Sequence, residues 1–153
     1  MLSLNLPGFE AKVRKKDGKT VIFDPLRCKY VALTPEEWVR QHFINFLITV
    51  KKYPKELLAN EITIHLNNTM KRCDTIVYDH FLTPVMIIEY KAPNIAINHA
   101  VFDQITRYNI SLRVPFLIVS NGLRHYCCKI DYEAQSYAFL EDIPIYMELT
   151  TIQ

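Results

Sequence analysis

Two β-rich runs joined by a short turn constrain the fold of this chain more than any other feature. Residues 72–79 and 85–91 are rich in valine, isoleucine and tyrosine, and the five residues between them include Pro84. Two such runs around a turn-forming segment predict a β-hairpin. The turn is expected to centre near Phe81 and Leu82.

The register of this hairpin brings two carboxylates together at one end. Antiparallel pairing is predicted to match Tyr78 with Val85, Ile76 with Ile87, and Asp74 with Glu89. Directly opposed residues on one face have Cβ atoms about 4.5–5.5 Å apart, so the two carboxylates repel each other unless a cation lies between them. Lys91 lies on the same face by the two-residue period of a strand. The pattern predicts a metal site with a neighbouring ammonium group.

The composition limits the class of protein. With 153 residues, half of them hydrophobic, the chain is expected to form one folded domain with its own core. The net charge of +2 is small, so any contact with nucleic acid has to come from local basic patches. No apolar run approaches the roughly 20 residues of a membrane span, and the N-terminus lacks a signal-peptide pattern. We therefore expect a cytoplasmic protein with no membrane partner.

Glycine and cysteine usage excludes several kinds of site. The three glycines, Gly8, Gly18 and Gly122, can form neither a P-loop nor a dinucleotide fingerprint, so the chain has no ATP site of its own. The four cysteines show no zinc-ligand spacing. Buried thiols are the expected state of these cysteines, ahead of structural zinc.

Residues 11–23 predict a basic hairpin, because Asp17-Gly18 is a strong turn signal between runs that carry five basic residues. Two interpretations stay open. Lysines on an edge ribbon discourage aggregation between sheets, which is the simpler interpretation. The same lysines can form an arm that contacts nucleic-acid phosphates. After Asp24-Pro25, residues 27–33 predict another short strand.

A helix with clear end signals follows. Thr34 is the expected N-cap, Pro35 takes the first helical position, and Glu37 completes a capping box. Pro54 ends the helix, after two lysines that suit its negative C-terminal end. On spacing alone, Glu37 is a capping residue first and a catalytic or metal-associated residue second. Helical spacing predicts a core face of Val39, Phe43, Phe46, Leu47 and Val50.

The remaining elements complete an α/β pattern. Residues 61–66 alternate as a half-buried strand, and Asn67-Asn68 follows as a turn. Residues 95–110 predict a second helix, and residues 115–120 a short buried strand parallel to the one at 85–91. The inward residues of the first strand are Ile62, Ile64 and Leu66, and those of the helix include Ala100, Val101, Ile105 and Tyr108.

The C-terminal part predicts further strands. Residues 123–130 form one of them, and residues 137–149 contain β-like pieces. The core order is helix, three antiparallel strands, helix and strand. We therefore expect a single domain over residues 1–153, with a β-ribbon extension at 1–33, a core at 34–122 and C-terminal strands at 123–153.

The charged end of the central hairpin has the groups for phosphodiester hydrolysis. Mg²⁺ prefers oxygen ligands, which Asp74, Glu89 and the main-chain carbonyl of Tyr90 would supply. Lys91 would orient or deprotonate the attacking water, or stabilise the developing negative charge. The structural alternative is that Glu-x-Lys is a common tripeptide and that charges mark a strand emerging into solvent. Spacing alone leaves both interpretations open.

Several motifs in this order resemble the PD-(D/E)xK nuclease superfamily. The more specific resemblance is to the N-terminal nuclease domain of type I restriction enzyme R subunits, and it covers most of residues 34–122. Its motifs are Thr34-Pro-Glu-Glu-Trp-Val-Arg40, Arg72-Cys-Asp74, Ile88-Glu-Tyr-Lys91, Gln104 to Tyr108, and Ser120-Asn-Gly122.

The resemblance implies a restriction-endonuclease-like three-layer core of order αβββαβ, with a mixed sheet between helices. It implies that Asp74, Glu89 and Lys91 are catalytic and that Glu37 matches an acid often found on the first helix. Gln104 and Tyr108 match a Q-x-x-x-Y motif near the DNA and the active site. The cofactor would be Mg²⁺ or Mn²⁺, and the partners DNA and other restriction or motor subunits, with a homodimer also compatible.

Two departures limit what the resemblance implies. No proline precedes Asp74, and no motor sequence follows the domain in this chain, which leaves a stand-alone relative and a fragment both open. Lys71 and Arg72 can reach phosphates, or they are ordinary solvated residues at a strand start. The leading hypothesis is a metal-dependent DNA endonuclease domain. The alternative is a catalytically silent nuclease-fold module that binds nucleic acid or a partner subunit.

Overall fold

A computed structural model describes residues 3–66 and 68–152, which form a mixed α/β fold. The strands are β1 Val13–Lys16, β2 Lys19–Asp24, β3 Lys29–Ala32, β4 Leu58–Leu66, β5 Thr69–Tyr78, β6 Pro84–Tyr90, β7 Phe116–Ser120, β8 His125–Asp131 and β9 Ser136–Phe139. The helices are α1 Pro35–Thr49, α2 His99–Asn109 and α3 Tyr146–Ile152, with 3₁₀ turns at Lys55–Leu57 and Ile110–Leu112.

The core is a six-stranded sheet in the order β4-β5-β6-β7-β8-β9, with helices on both faces. An α1-side cluster contains Val39, Phe43 and Leu47 of α1 against Met86 and Ile88 of the sheet. An α2-side cluster packs Phe102 of α2 against residues of β5, β6 and β7, namely Ile76, Ile87, Leu117 and Val119. The predicted three-layer core of order αβββαβ is confirmed.

The central hairpin and its turn form as predicted, except for the last residue pair before the turn. Ile76 pairs with Ile87, as expected, but Tyr78 pairs with Pro84 rather than with Val85, because a bulge shifts the register after Val77. The Asp79 carboxylate accepts hydrogen bonds from the amides of the connecting loop and so fixes the loop at residues 79–83. Pro84 has no N–H to donate to a regular ladder, which fits its place beside the bulge.

Helix α1 has the predicted N-terminus, but it ends at Thr49, before the two lysines and Pro54, and its C-cap Val50 is exposed rather than in the core. The Thr34 side chain accepts a hydrogen bond from the Glu37 amide at 3.0 Å, and Lys52 Nζ donates to the Thr49 carbonyl at 2.9 Å. The other half of the capping box is wrong. The Thr34 amide donates to Ala32, and the Glu37 carboxylate accepts from two arginines and a glutamine instead.

The parallel pairing of β6 with β7 is confirmed, but α2 differs from its prediction. It begins at His99 rather than at residue 95, because the Asn98 side chain caps it by accepting from the Val101 amide. Its buried face is Phe102, Thr106 and Asn109, whereas Ala100 and Tyr108 are exposed. The predicted face, based on apolar residues, is shifted by one position from the buried one. The prediction failed because Thr106 and Asn109 are polar and are buried with hydrogen bonds to Phe102 and Lys71.

The C-terminal tail contains a helix that the sequence pattern missed. Strands β8 and β9 extend the sheet as expected, but residues 146–152 form α3 instead of β-like pieces. Tyr146 and Leu149 are buried in the α1-side cluster. Tyr146 Oη also donates to the Tyr78 carbonyl at 2.9 Å, so tertiary contacts to the hairpin stabilise this short helix.

The predicted N-terminal hairpin and the predicted short strand both form, and they pair into a separate antiparallel sheet in the order β1-β2-β3. Asp17 and Gly18 both have positive φ, 52° and 78°, which a two-residue hairpin turn of this twist requires. In β4, Ile64 is buried and Ile62 half-buried, as expected. Leu66's side chain and the Asn67 half of the predicted turn lie outside the described residues.

Three of the four cysteines are buried as expected, and Cys28 is exposed. Burial raises the pKa of Cys73, Cys127 and Cys128 to about 12 in each case, so these thiols are neutral. Among the residues that the structure describes, no helix is both long and apolar enough to cross a membrane. The cytoplasmic location stays a prediction.

Candidate active site

The site lies where the side-chain alternation of β5 breaks. Cys73 and Ile76 both belong to the α2-side cluster, although residues three apart in a regular strand face opposite sides. Neighbouring β4 breaks at the same level: Leu58 lies in the α1-side cluster and Ile64 in the α2-side cluster, with Glu61 at φ 57° between them. The break brings Lys71 and Asp74 to the same side of the sheet.

The two carboxylates meet at the end of the hairpin ladder. Pairing of β5 with β6 continues to Thr75 and Ile88, which leaves Asp74 next to Glu89. Beyond this point the Asp74 side chain takes the place of a main-chain acceptor, because its Oδ2 accepts from the Tyr90 amide at 2.9 Å. Tyr90 itself points to the other face, where its hydroxyl donates to Thr75.

Glu89 is an unusual carboxylate. Burial, the negative charge of Asp74 and a hydrogen bond to Asp74 raise the pKa of Glu89 to about 7, although Lys71 opposes the shift. Two carboxylates this close together repel each other, and a divalent cation between them relieves the repulsion. The raised pKa means that a proton competes with such a cation near neutral pH.

Lys71 supplies a cation from the protein itself. Its side chain is only 5% exposed, and its ammonium lies 3.0 Å from Glu89 Oε1 and 2.7 Å from Asn109 Oδ1. The same ammonium lies 4.1 Å from the centroid of the Tyr108 ring. Lys71 is therefore part of the site rather than a solvated residue at a strand start.

Four further predicted residues line a cavity of about 580 Å³, which Glu89 and Lys71 also line. Its walls include Lys91 from the end of β6 and Gln104 and Tyr108 from one face of α2. Arg72 lies at the rim, 68% exposed, and donates to Glu61. Among the described residues, Lys91 has no ion-pair partner, so its ammonium is available to a ligand in this cavity.

Glu37 does not join this cavity. It lies on α1, and its buried carboxylate accepts hydrogen bonds from Arg27, Arg40 and Gln41. These hydrogen bonds hold the pKa of Glu37 below its usual value, although burial acts in the opposite direction. Glu37 reaches the site through Arg40, whose Nη1 donates to the Asp74 carbonyl at 2.8 Å.

The donor set fits a hard divalent cation with an open coordination sphere. Two adjacent carboxylates and a nearby main-chain carbonyl are oxygen ligands, which magnesium prefers while keeping several waters. In the described part of the chain, no group of three or more His, Cys, Asp and Glu side chains forms an all-protein metal cage. These residues therefore do not fit a structural metal site closed by protein ligands. They fit a site in which water and substrate oxygens complete the coordination of the metal.

Sequence reasoning missed two residues of this arrangement. Arg40 follows Glu37 by one helical turn, a spacing that pairs opposite charges and was available as a signal. Asn109, which accepts from Lys71, follows Tyr108 directly and carried no distinguishing pattern.

Comparison with known proteins identifies the family. The family described as type I restriction enzyme R protein N terminus (HSDR_N) matches residues 35–144, most of the chain. The chain belongs to this family. The HSDR_N match confirms the resemblance drawn from the motifs and makes the chain a nuclease-like module. No curated protein matches the chain.

A solved structure shares the fold of this HSDR_N domain. It is a fragment of a putative HsdR subunit of a type I restriction enzyme from Vibrio vulnificus YJ016, with 17% sequence identity and a TM-score of 0.54. The match covers 78% of this chain and 25% of that one, so the chain spans about a quarter of that structure's length. At this identity the likeness shows the fold alone.

Proposed function

We propose that this HSDR_N domain is a metal-dependent DNA endonuclease that hydrolyses phosphodiester bonds, within one domain over residues 1–153. One observation carries the proposal. A carboxylate pair, Asp74 and Glu89, adjoins a cavity lined by Gln104, Tyr108 and Lys91, which has no ion-pair partner in the described part of the chain. Two half-buried carboxylates this close together repel each other, which is costly for a purely structural domain and useful where a cation binds.

The metal would be Mg²⁺, with Mn²⁺ as a substitute. Asp74, Glu89 and the main-chain carbonyl of Tyr90 would hold it. When bound, such a cation polarises a phosphoryl oxygen and lowers the pKa of a water molecule. The protein requires no ATP site for this chemistry, and we propose none in this chain.

The surrounding side chains position the substrate. Lys91 orients the attacking water or stabilises the negative charge that develops on the phosphate, since its ammonium has no carboxylate partner among the described residues. Gln104 and Tyr108 face the same cavity from α2 and would contact the DNA. Arg72 at the rim would bind a phosphate. Glu37 would act indirectly, by holding Arg40 against the Asp74 carbonyl.

A silent module that binds nucleic acid or a partner subunit is the second candidate. The observation in its favour is the ion pair of Lys71 with Glu89, because an internal ammonium already neutralises one of the two carboxylates. The family name places such domains in R proteins of type I restriction enzymes. We therefore propose restriction or motor subunits as partners, with a homodimer as a further arrangement.

Calorimetric titration with Mg²⁺ separates the two candidates. We expect one binding event in the parent chain, lost in Asp74→Ala and in Glu89→Ala. Glu36→Ala removes an exposed acid of the same charge and should bind like the parent. Absence of binding in the parent, or equal binding in all four chains, would assign the silent module instead.

A further inference from the structure

The basic N-terminal sheet has two different faces. The register of β1, β2 and β3 pairs Lys16 with Lys19, Arg14 with Val21, and Phe23 with Tyr30. By the two-residue period, one face carries Lys12, Arg14, Lys16, Lys19, Phe23 and Tyr30 together with the apolar Val21 and Ala32, and we call it the outer face. The opposite face carries Ile22 and Asp24, which are fully buried against the rest of the domain.

Contacts between side chains support this assignment. The Arg14 guanidinium lies 3.8 Å from the centroid of the Tyr30 ring, and Lys12 Nζ lies 5.4 Å from that of Phe23. The two rings lie 5.3 Å apart. Lys15, on the opposite face, bonds Thr20 at 2.8 Å instead. The outer face therefore combines four cations with two aromatic rings, and no carboxylate of the sheet lies on it.

The charge of this sheet stands out from the rest of the chain. Residues 12–19 contain five basic residues and one acidic residue, a net charge of +4, whereas the whole chain carries +2. All four residues of β1 are exposed, so its cations are in solvent. Alternate residues of a strand are about 7 Å apart, so the outer face presents a line of separate positive charges.

We propose that the outer face binds the phosphate backbone of duplex DNA and holds it for the active site; this rests on the proposed nuclease function. A duplex carries one negative charge per about 1.7 Å of its axis, which a line of cations complements. Lysine ammonium groups bind phosphates as point charges and do not read base edges. The contact is therefore independent of base sequence.

The sheet is attached to the active site by buried polar contacts. Asp24 at the end of β2 accepts from Asn60 at 3.0 Å, and Asn60 accepts from Thr75, the neighbour of Asp74, at 2.7 Å. A second path runs from Arg27 through Glu37 to Arg40, which holds the Asp74 carbonyl. These contacts hold the basic sheet against β4, β5 and α1, next to the strand that carries Asp74.

Fluorescence anisotropy with a labelled duplex of 20 base pairs tests this inference. All proteins carry Asp74→Ala, so that no cleavage occurs and a failure of the nuclease proposal does not affect the result. Lys16→Gln with Lys19→Gln removes two outer charges. Lys15→Gln with Lys29→Gln removes two charges from the opposite face of the same sheet. Circular dichroism confirms that both double variants are folded.

The two double variants should differ strongly. The outer pair is expected to weaken binding about 10-fold near 0.1 M salt and to reduce the slope of log K against log salt by up to about 2. The double variant Lys15→Gln with Lys29→Gln should bind the duplex with the same affinity and the same salt slope as the Asp74→Ala parent. Equal losses in both pairs, no DNA binding by the parent, or an outer-face effect seen only with duplex RNA would each overturn the proposal.

Discussion

Replacing Arg40 by methionine is predicted to lower the free energy of unfolding by about 3–5 kcal/mol. The Arg40 side chain is only 8% exposed, and its guanidinium lies 2.8 Å from both Glu37 Oε1 and Glu61 Oε1. Removing one partner of a buried ion pair leaves an uncompensated charge, which costs roughly 3–5 kcal/mol. That is a large part of the roughly 5–15 kcal/mol that stabilises an ordinary domain.

Arg72→Met is a matched control, because Arg72 also pairs with Glu61, at 2.7 Å, but is 68% exposed. An exposed ion pair contributes roughly 0–1 kcal/mol, so this variant should stay close to the parent. Urea unfolding at pH 7, monitored by circular dichroism, measures the free energy of unfolding of both variants. A loss in Arg40→Met that lies within about 1 kcal/mol of the Arg72→Met loss would refute the buried network as a stabilising element.

Two further predictions concern charge. Burial raises the pKa values of Asp24, Glu37 and Glu61, but hydrogen bonds outweigh it and hold them below 3.8, 4.5 and 4.5. The three carboxylates therefore add to the free energy of unfolding above pH 4.5, and this stabilisation is lost as the pH falls through their pKa values in the folded protein. Glu89 has the opposite effect on stability, because its pKa is raised to about 7. Without metal, the free energy of unfolding should fall by roughly 3 kcal/mol at most between pH 4.5 and 7. Glu89→Gln should remove this fall in urea unfolding. Lys71→Met should raise Mg²⁺ affinity about 10-fold in calorimetry at pH 9, roughly 1.4 kcal/mol, because the Lys71 ammonium lies 3.0 Å from Glu89 Oε1 and competes with a cation for that oxygen. Unchanged or weaker binding would show that Lys71 supports the metal site.

Local sequence signals predicted the frame of the molecule. The Asp17-Gly18 turn, the Thr34 cap and the pairing of Ile76 with Ile87 depend on neighbouring residues and on the period of a strand, which a sequence displays directly. The family motifs then placed the order of the core elements. The roles of the site residues stay predictions, although Glu89, Lys91, Gln104 and Tyr108 do meet around one cavity.

Long-range contacts decided the rest. The break in β5 that turns Lys71 toward Glu89 coincides with the positive φ of Glu61 on another strand, and no pattern within β5 announces it. The Glu37 carboxylate binds Arg27 and Arg40 rather than the Thr34 amide predicted for a capping box. In a buried position, ion pairs with two arginines stabilise a carboxylate more than one hydrogen bond from an N–H. Helix α3 likewise depends on the burial of Tyr146.

Cleavage of supercoiled plasmid DNA in Mg²⁺ tests the nuclease assignment most directly. The parent chain should convert the plasmid to nicked and linear forms, and Asp74→Ala and Lys91→Ala should both abolish the conversion. Lys55→Ala removes an exposed lysine of the 3₁₀ turn before β4 and should cleave like the parent. Cleavage that survives both active-site changes, or an inert parent at a metal concentration that saturates it, would contradict the assignment.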